Sequence, residues 1–313
     1  MSWPSWLPLR ETLRPMSPYG APQVPAVAAL NTNENPYSPS PALQKAITDA
    51  VAKVAVDLNR YPDRDATILR TKLATYINEG NGTSFTLDNI WAANGSNEII
   101  QSIFLAFAQG AVLGFTPSYS MHPLIAKTTG AQWIDGKRNA DFSLNTTDAV
   151  SEILKSKPTL TFITTPNNPT GGAVTLAEIQ KLADAAKDVG GLLVVDEAYA
   201  EFSQEVSAVT LIANNPHLIV IRTMSKAFAF AGARLGYLVS DVAVKDAMMI
   251  VRLPYHLSAL TQAAAQVAID HRAELLSGVS TLIKARGEVV QALHDMGLTT
   301  ITSSANFVLF TGF

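Results

Sequence analysis

Residues 218–234 read L-I-V-I-R-T-M-S-K-A-F-A-F-A-G-A-R. The apolar run 218–221 has the length of a buried strand. It delivers Lys226 just past its end, directly after Ser225 and eight positions before Arg234. An amine at the end of a buried strand is poorly solvated, and desolvation disfavours its charged form. A partly neutral amine can attack a carbonyl carbon and form a Schiff base. Ser225 and Arg234 are suited to hold a phosphate beside it. An isolated Ser-Lys pair reads better as a surface lysine at a helix start, so the rest of the chain must decide.

Outward from this stretch, apolar runs alternate with helical patterns. Strands are expected at 90–93, 111–115, 160–164, 192–195, 218–221 and 235–239, and helices at 96–108, 119–129 and 176–189. Such alternation predicts an α/β fold, a mostly parallel central sheet with helices on both faces. Ligands of such sheets gather at the carboxyl ends of the strands. Before the sheet, residues 1–40 are rich in Pro, Ser and Asn and read as an N-terminal arm and loop. Helices follow at 41–56 and at 65–79, the second ended by Gly80. Residues 41–240 are thus expected to form a large domain. From 241 the pattern turns helical (242–251, 258–271, 273–296), with short strands near 298–301 and 307–310. This predicts a smaller α+β domain over 241–313, incomplete at its end.

Composition narrows the class. With 313 residues, 48% of them hydrophobic and 16% charged, the chain can bury a sizeable core. A net charge of −3 gives no electrostatic case for nucleic acid or an anionic membrane. The absence of cysteine excludes disulfides, thiolate metal sites and a cysteine nucleophile, and suits a reducing cytoplasm. The N-terminus lacks the apolar core of a signal peptide, and no run reaches the length of a membrane span. No metal is called for.

Four further segments sit at expected strand ends. Val194-Val195-Asp196-Glu197-Ala198-Tyr199 ends a strand with an acid that needs a partner, and a protonated pyridine nitrogen would serve, as would a helix N-terminus that Asp196 caps. Thr165–Gly171 (T-P-N-N-P-T-G) is a turn by composition, in which an Asn amide could also donate to a phenolate. Asn94-Gly95-Ser96-Asn97-Glu98 opens a helix whose first amides favour a phosphate, unless Ser96 is an ordinary cap. Tyr119, in F-T-P-S-Y, either stacks on a flat ring or merely starts a helix.

Five such segments in this order resemble the fold type I pyridoxal-phosphate-dependent aminotransferases. More narrowly, L-N-T-N-E-N-P (30–36), R-Y-P-D (60–63), S-K-A-F (225–228) and A-G-A-R-L-G (231–236) resemble the histidinol-phosphate aminotransferases. The stretches 91–98, 115–123 and 253–262 resemble their actinobacterial variants. The resemblance covers essentially the whole chain. It implies transamination of L-histidinol phosphate with 2-oxoglutarate in histidine biosynthesis, with pyridoxal 5′-phosphate as cofactor. Aromatic amino-acid transamination, a threonine-phosphate decarboxylase and a cofactor-binding remnant are the alternatives.

The resemblance also implies residue roles. Lys226 is the Schiff-base lysine and proton carrier, and Asp196 partners the pyridine nitrogen. Tyr199 and Asn168 donate to the phenolate oxygen, and Tyr119 stacks on the ring. Gly95, Ser96, Asn97, Ser225, Arg234 and, more weakly, Thr223 form a phosphate cup. Tyr61 reaches the cofactor phosphate of the partner in a homodimer. Asn33 and Asn35 lie on a substrate-facing loop. In the family an arginine in an L-R-x-x-x-G segment grips the substrate carboxylate. No such segment precedes Phe313, so the chain is expected to be C-terminally truncated.

Overall fold

The structure, a computed structural model, describes residues 3–312 apart from 24, 26, 27 and 29. Seven strands form the main sheet: β1 (Ile90–Ala93), β2 (Ala111–Thr116), β3 (Gln132–Lys137), β4 (Leu160–Thr164), β5 (Leu192–Asp196), β6 (Leu218–Thr223) and β7 (Gly236–Ser240). Their spatial order is β1-β7-β6-β5-β4-β2-β3. Only β7 runs against its neighbours; β2 with β3, β2 with β4, β4 with β5 and β5 with β6 pair parallel. The carboxyl ends of the six strands β1 to β6 therefore share one edge.

Strands β1 and β4 to β7 are buried almost throughout, because helices cover both faces of the sheet. Successive side chains alternate between two apolar cores. Val195 and Val220 enter one, together with residues of α1 (Pro41–Ala55), α2 (Thr67–Asn81), α5 (Thr146–Ser156), α6 (Leu176–Asp188) and α8 (Ala259–Asp270). Val194, Ile219 and Ile221 enter the other, with α3 (Ser96–Phe107), α4 (Met121–Thr129) and α7 (Val242–Val251). Each fully buried branched side chain contributes about 1.5–3 kcal/mol, so the sheet is a rigid platform for whatever its edge carries. Helix α9 (Arg272–Asp295) leads to a separate two-stranded sheet, β8 (Thr299–Thr300) with β9 (Phe310–Thr311).

Several expectations need correction. The sequence reading passed over β3 and α5. The composition of β3 (Q-W-I-D-G-K) follows from its place at the sheet edge, where most of its side chains are not fully buried. Helix α2 continues through Gly80 and is capped instead by Gly82, whose φ of 64° closes the helix with its N–H on the Asn78 carbonyl. Both late strands are shorter than expected: β8 lies within 298–301, while β9 is shifted to the end of 307–310 and one residue beyond it.

Candidate active site

Strand β6 ends at Thr223, and the turn after it directs Lys226 into a cavity of about 610 Å³ at the carboxyl edge of the sheet. The Lys226 amine donates to the Thr32 carbonyl at 2.6 Å. Burial holds its pKa below the ordinary lysine value; Glu34 opposes this and Arg234 adds to it. Desolvation of this kind disfavours the charged amine.

Asp196 is the last residue of β5, 1% exposed, and lines the same cavity. Its Oδ2 lies 3.2 Å from His122 Nε2, and its Oδ1 accepts from the Ala198 amide at 3.2 Å. The His122 ring packs in turn against Phe162, with centroids 4.7 Å apart, and its edge meets Tyr119. The helix-cap alternative for Asp196 is not what the fold uses: its carboxylate holds one local amide and a histidine, and looks into the cavity.

The turn 165–171 separates two adjacent asparagines by function. Asn167 is fully buried and holds the turn itself, donating to the Pro117 carbonyl and to Thr170 Oγ1. Asn168 faces the cavity and donates to the Tyr199 hydroxyl at 3.3 Å. Burial is the main cause that raises the Tyr199 pKa to about 12, with Asp196 adding to it and hydrogen bonds from Asn33 and Asn168 opposing it. Tyr199 therefore remains a proton donor at neutral pH.

Ser96, Asn97, Thr223, Ser225 and Arg234 line another part of the wall. Gly95 lies just behind them, at the start of α3, with φ 83°. A Cβ there would fall 2.5 Å from Arg234 Nη2, and one on Gly236 would fall 2.5 Å from the Gly95 carbonyl carbon. The two glycines let the Arg234 turn and the α3 N-terminus approach each other. Arg234 Nη1 donates to Ala231 O at 3.2 Å, and among the described residues no carboxylate pairs with it. Helix-start amides, hydroxyls and an unpaired guanidinium suit a phosphate ester. Asp196 suits a ring cation, and Tyr199 with Asn168 an anionic oxygen. These donors and acceptors fit pyridoxal phosphate.

Two predicted residues lie elsewhere. Asn35 does not line the cavity; its side chain donates to the Ala227 carbonyl and accepts from the Tyr37 amide. Tyr61 is 79% exposed and stacks on Tyr255 at 4.4 Å, away from this chain's own cavity. Asn33 does line the cavity but donates to the Tyr199 hydroxyl at 3.2 Å. Tyr119 lines it with its hydroxyl on Asn97 Oδ1 at 3.1 Å. The sequence reading missed Tyr19, Glu34 and His122. His122 follows Tyr119 by three positions, and that helical spacing was the available signal. Tyr19 lies in the arm, where no periodicity marks it.

Comparison with known proteins agrees with this geometry. Residues 25–313 match the family described as aminotransferase class I and II. A histidinol-phosphate aminotransferase of Mycobacterium marinum is 52% identical over 310 residues, 98% of this chain and 80% of that one. One of Mycobacterium sp. (strain JLS) is 51% identical over 310 residues, covering 98% and 82%. Among solved structures, a putative histidinol-phosphate aminotransferase of Erwinia carotovora superposes with a TM-score of 0.78 at 26% identity, over 89% of this chain and 80% of that chain. The Sinorhizobium meliloti histidinol-phosphate aminotransferase in complex with pyridoxal-5′-phosphate shares the fold, with a TM-score of 0.79 at 24% identity over 89% and 74%.

Proposed function

Because the chain belongs to the class I and II aminotransferases, we propose that it is a pyridoxal-phosphate-dependent histidinol-phosphate aminotransferase. It moves the amino group of L-histidinol phosphate to 2-oxoglutarate, giving imidazole acetol phosphate and L-glutamate in histidine biosynthesis. The observation that carries this reading is the half-identity to histidinol-phosphate aminotransferases over nearly the whole chain, joined to one cavity holding Lys226, Asp196, Tyr199 and Arg234.

Bound pyridoxal phosphate supplies an electron sink for the pair released when the substrate α-carbon loses its proton. The chain's own residues do the rest. Lys226 would carry the cofactor and, with its amine free, would move the proton at the substrate α-carbon; burial holds its pKa below the ordinary lysine value. Asp196, fixed by His122 and the Ala198 amide, would hold a proton on the ring nitrogen. Tyr199 and Asn168 would donate to the ring oxygen, and Tyr119 would pack against the ring. Ser96, Asn97, Thr223, Ser225 and Arg234 would bind the phosphate, with Gly95 making room. Asn31, Thr32, Asn33 and Glu34 bring the N-terminal loop to the cavity wall.

The active form is proposed to be a homodimer in which Tyr61 serves the partner's cofactor. Within a few residues of Tyr61 or Tyr255 in sequence, Val56, Leu58, Ile250 and Leu253 are all more than half exposed, apolar side chains of the kind a second copy covers. The division into an arm (1–40), a large cofactor-binding unit (41–240) and a smaller unit from 241 belongs to the same proposal. Among the described residues no helix is long and apolar enough to cross a membrane; a cytoplasmic location is proposed from the pathway and the absence of cysteine.

The test is an amino-donor panel with 2-oxoglutarate as acceptor. Glutamate should form fastest from L-histidinol phosphate. Faster turnover of phenylalanine or tyrosine would replace the substrate assignment, and release of carbon dioxide from L-threonine phosphate without glutamate would replace the reaction.

A further inference from the structure

We propose that Asn33 is a positioning residue: by donating to the Tyr199 oxygen it turns the Tyr199 proton toward the cofactor's ring oxygen, so that docking of the N-terminal loop is felt at the cofactor. The inference rests on the reading of the cavity as a pyridoxal phosphate site.

A phenol oxygen carries one proton and two lone pairs. The Tyr199 oxygen accepts from Asn33 Nδ2 at 3.2 Å and from Asn168 Nδ2 at 3.3 Å. With both acceptor positions filled, its own proton is left for a third direction. Tyr199 is 3% exposed, so bulk water does not compete for that proton. Without Asn33 the hydroxyl regains a second orientation, and its donation to the cofactor weakens.

Asn33 is held for this task from both sides. Its φ of 54° is left-handed, a conformation asparagine tolerates better than most residues. The carbonyl before it, Thr32 O, accepts from Lys226; its own carbonyl accepts from Asn306 Nδ2 at 3.1 Å. Asn306 belongs to a segment that is itself fixed: the Ser304 amide donates to the Gly171 carbonyl at 2.8 Å, Arg286 to the Ala305 carbonyl at 2.6 Å, and the Phe307 ring meets the edge of Tyr199 at 5.1 Å. Two segments from opposite ends of the chain thus meet on one tyrosine. The Lys226 bond to Thr32 requires a free amine, so Asn306 is the hold that persists when the lysine carries the cofactor.

The experiment follows the visible absorption of the holoenzyme with pH, with no substrate present. A donor on the ring oxygen offsets its negative charge and lowers the proton affinity of the nitrogen that Lys226 contributes. Removing that donor should raise the spectral midpoint, by about one pH unit for Tyr199→Phe. Asn33→Ala should raise it by part of that amount, and Asn306→Ala by less in the same direction. Asn33→Ala should add nothing in the Tyr199→Phe background. An unchanged midpoint in both Asn33→Ala and Asn306→Ala would overturn the proposal, as would a shift of equal size with and without Tyr199. A wild-type holoenzyme with no visible band at all would instead overturn the cofactor reading beneath it.

Discussion

Asp196 and Glu197 are adjacent in sequence, both carboxylates, both at most 3% exposed, and they do opposite work. Alternation along the strand sends them to opposite faces of the sheet. Asp196 falls on the α4 side, where it has one histidine and one amide and a cavity in front of it. Glu197 falls on the other face into a hydrogen-bonded network. Arg222 Nε donates to it at 2.8 Å, Ser207 Oγ at 2.7 Å and the Ala208 amide at 2.7 Å, while Arg222 also pairs with Glu201 at 2.9 Å. Burial alone would lower the Arg222 pKa, but Glu197 and Glu201 raise it. Strand β6 repeats the contrast: Arg222 closes the structural network, and four residues later Lys226 serves the cavity. A saturated ion pair holds the fold, and an acid left with capacity to spare is the one available to a ligand.

The comparison yields predictions that can break it. The largest effect should come from Lys226→Ala, with turnover down by at least about 10⁴-fold and borohydride trapping of the cofactor abolished. Covalent trapping at another lysine would remove Lys226 from its role. Asp196→Ala should lower turnover by about 10²–10⁴-fold with little change in the unfolding midpoint. Normal half-reaction rates would show that Asp196 is as structural as its neighbour.

Glu197→Ala should do the reverse. Taking from buried Arg222 one of its two carboxylate partners, and from Ser207 and the Ala208 amide their acceptor, costs about 1–3 kcal/mol of stability, measurable by denaturant unfolding, while the folded fraction still binds cofactor. A stable Glu197→Ala protein with a dead active site would collapse the distinction between the two faces.

Tyr61→Phe should weaken cofactor binding roughly tenfold. Mixing it with Lys226→Ala subunits should restore one complete site per heterodimer, with wild-type cofactor affinity. A monomer that holds cofactor tightly would sink the shared-site reading.

The smallest effect concerns pH. In the folded apoprotein the Lys226 pKa is depressed from its ordinary 10.5. Between those two values the unfolded chain binds the extra proton, so stability rises with pH. That contribution is complete above 10.5 and is lost as pH falls through the depressed value. Wild type should therefore gain stability relative to Lys226→Met as pH rises through this window. Parallel pH profiles for the two proteins would mean that the lysine is not desolvated.

By itself the sequence determined the alternation of strands and helices, and with it a mostly parallel sheet and the placing of five segments at one edge. That followed because β-strand and helix periods are local properties of the chain. Lys226, Asp196 and the turn holding Asn168 stood out because each lies at a strand end, and Arg234 because it follows Lys226 by eight positions in one motif-bearing run. Edge strand β3 was not legible, because a strand half in solvent has no apolar run to reveal it. Nor were Tyr19 and His122, whose roles come from contact with residues far away in the chain. Only the tertiary structure decided that Asn167 locks its own turn, that Asn35 braces a loop while Asn33 reaches Tyr199, and that Arg222 joins Glu197 and Glu201 on the far face of the sheet. Those outcomes depend on which face of the sheet a side chain leaves from and on what the distant chain brings to meet it, and neither is a property of any short stretch of sequence.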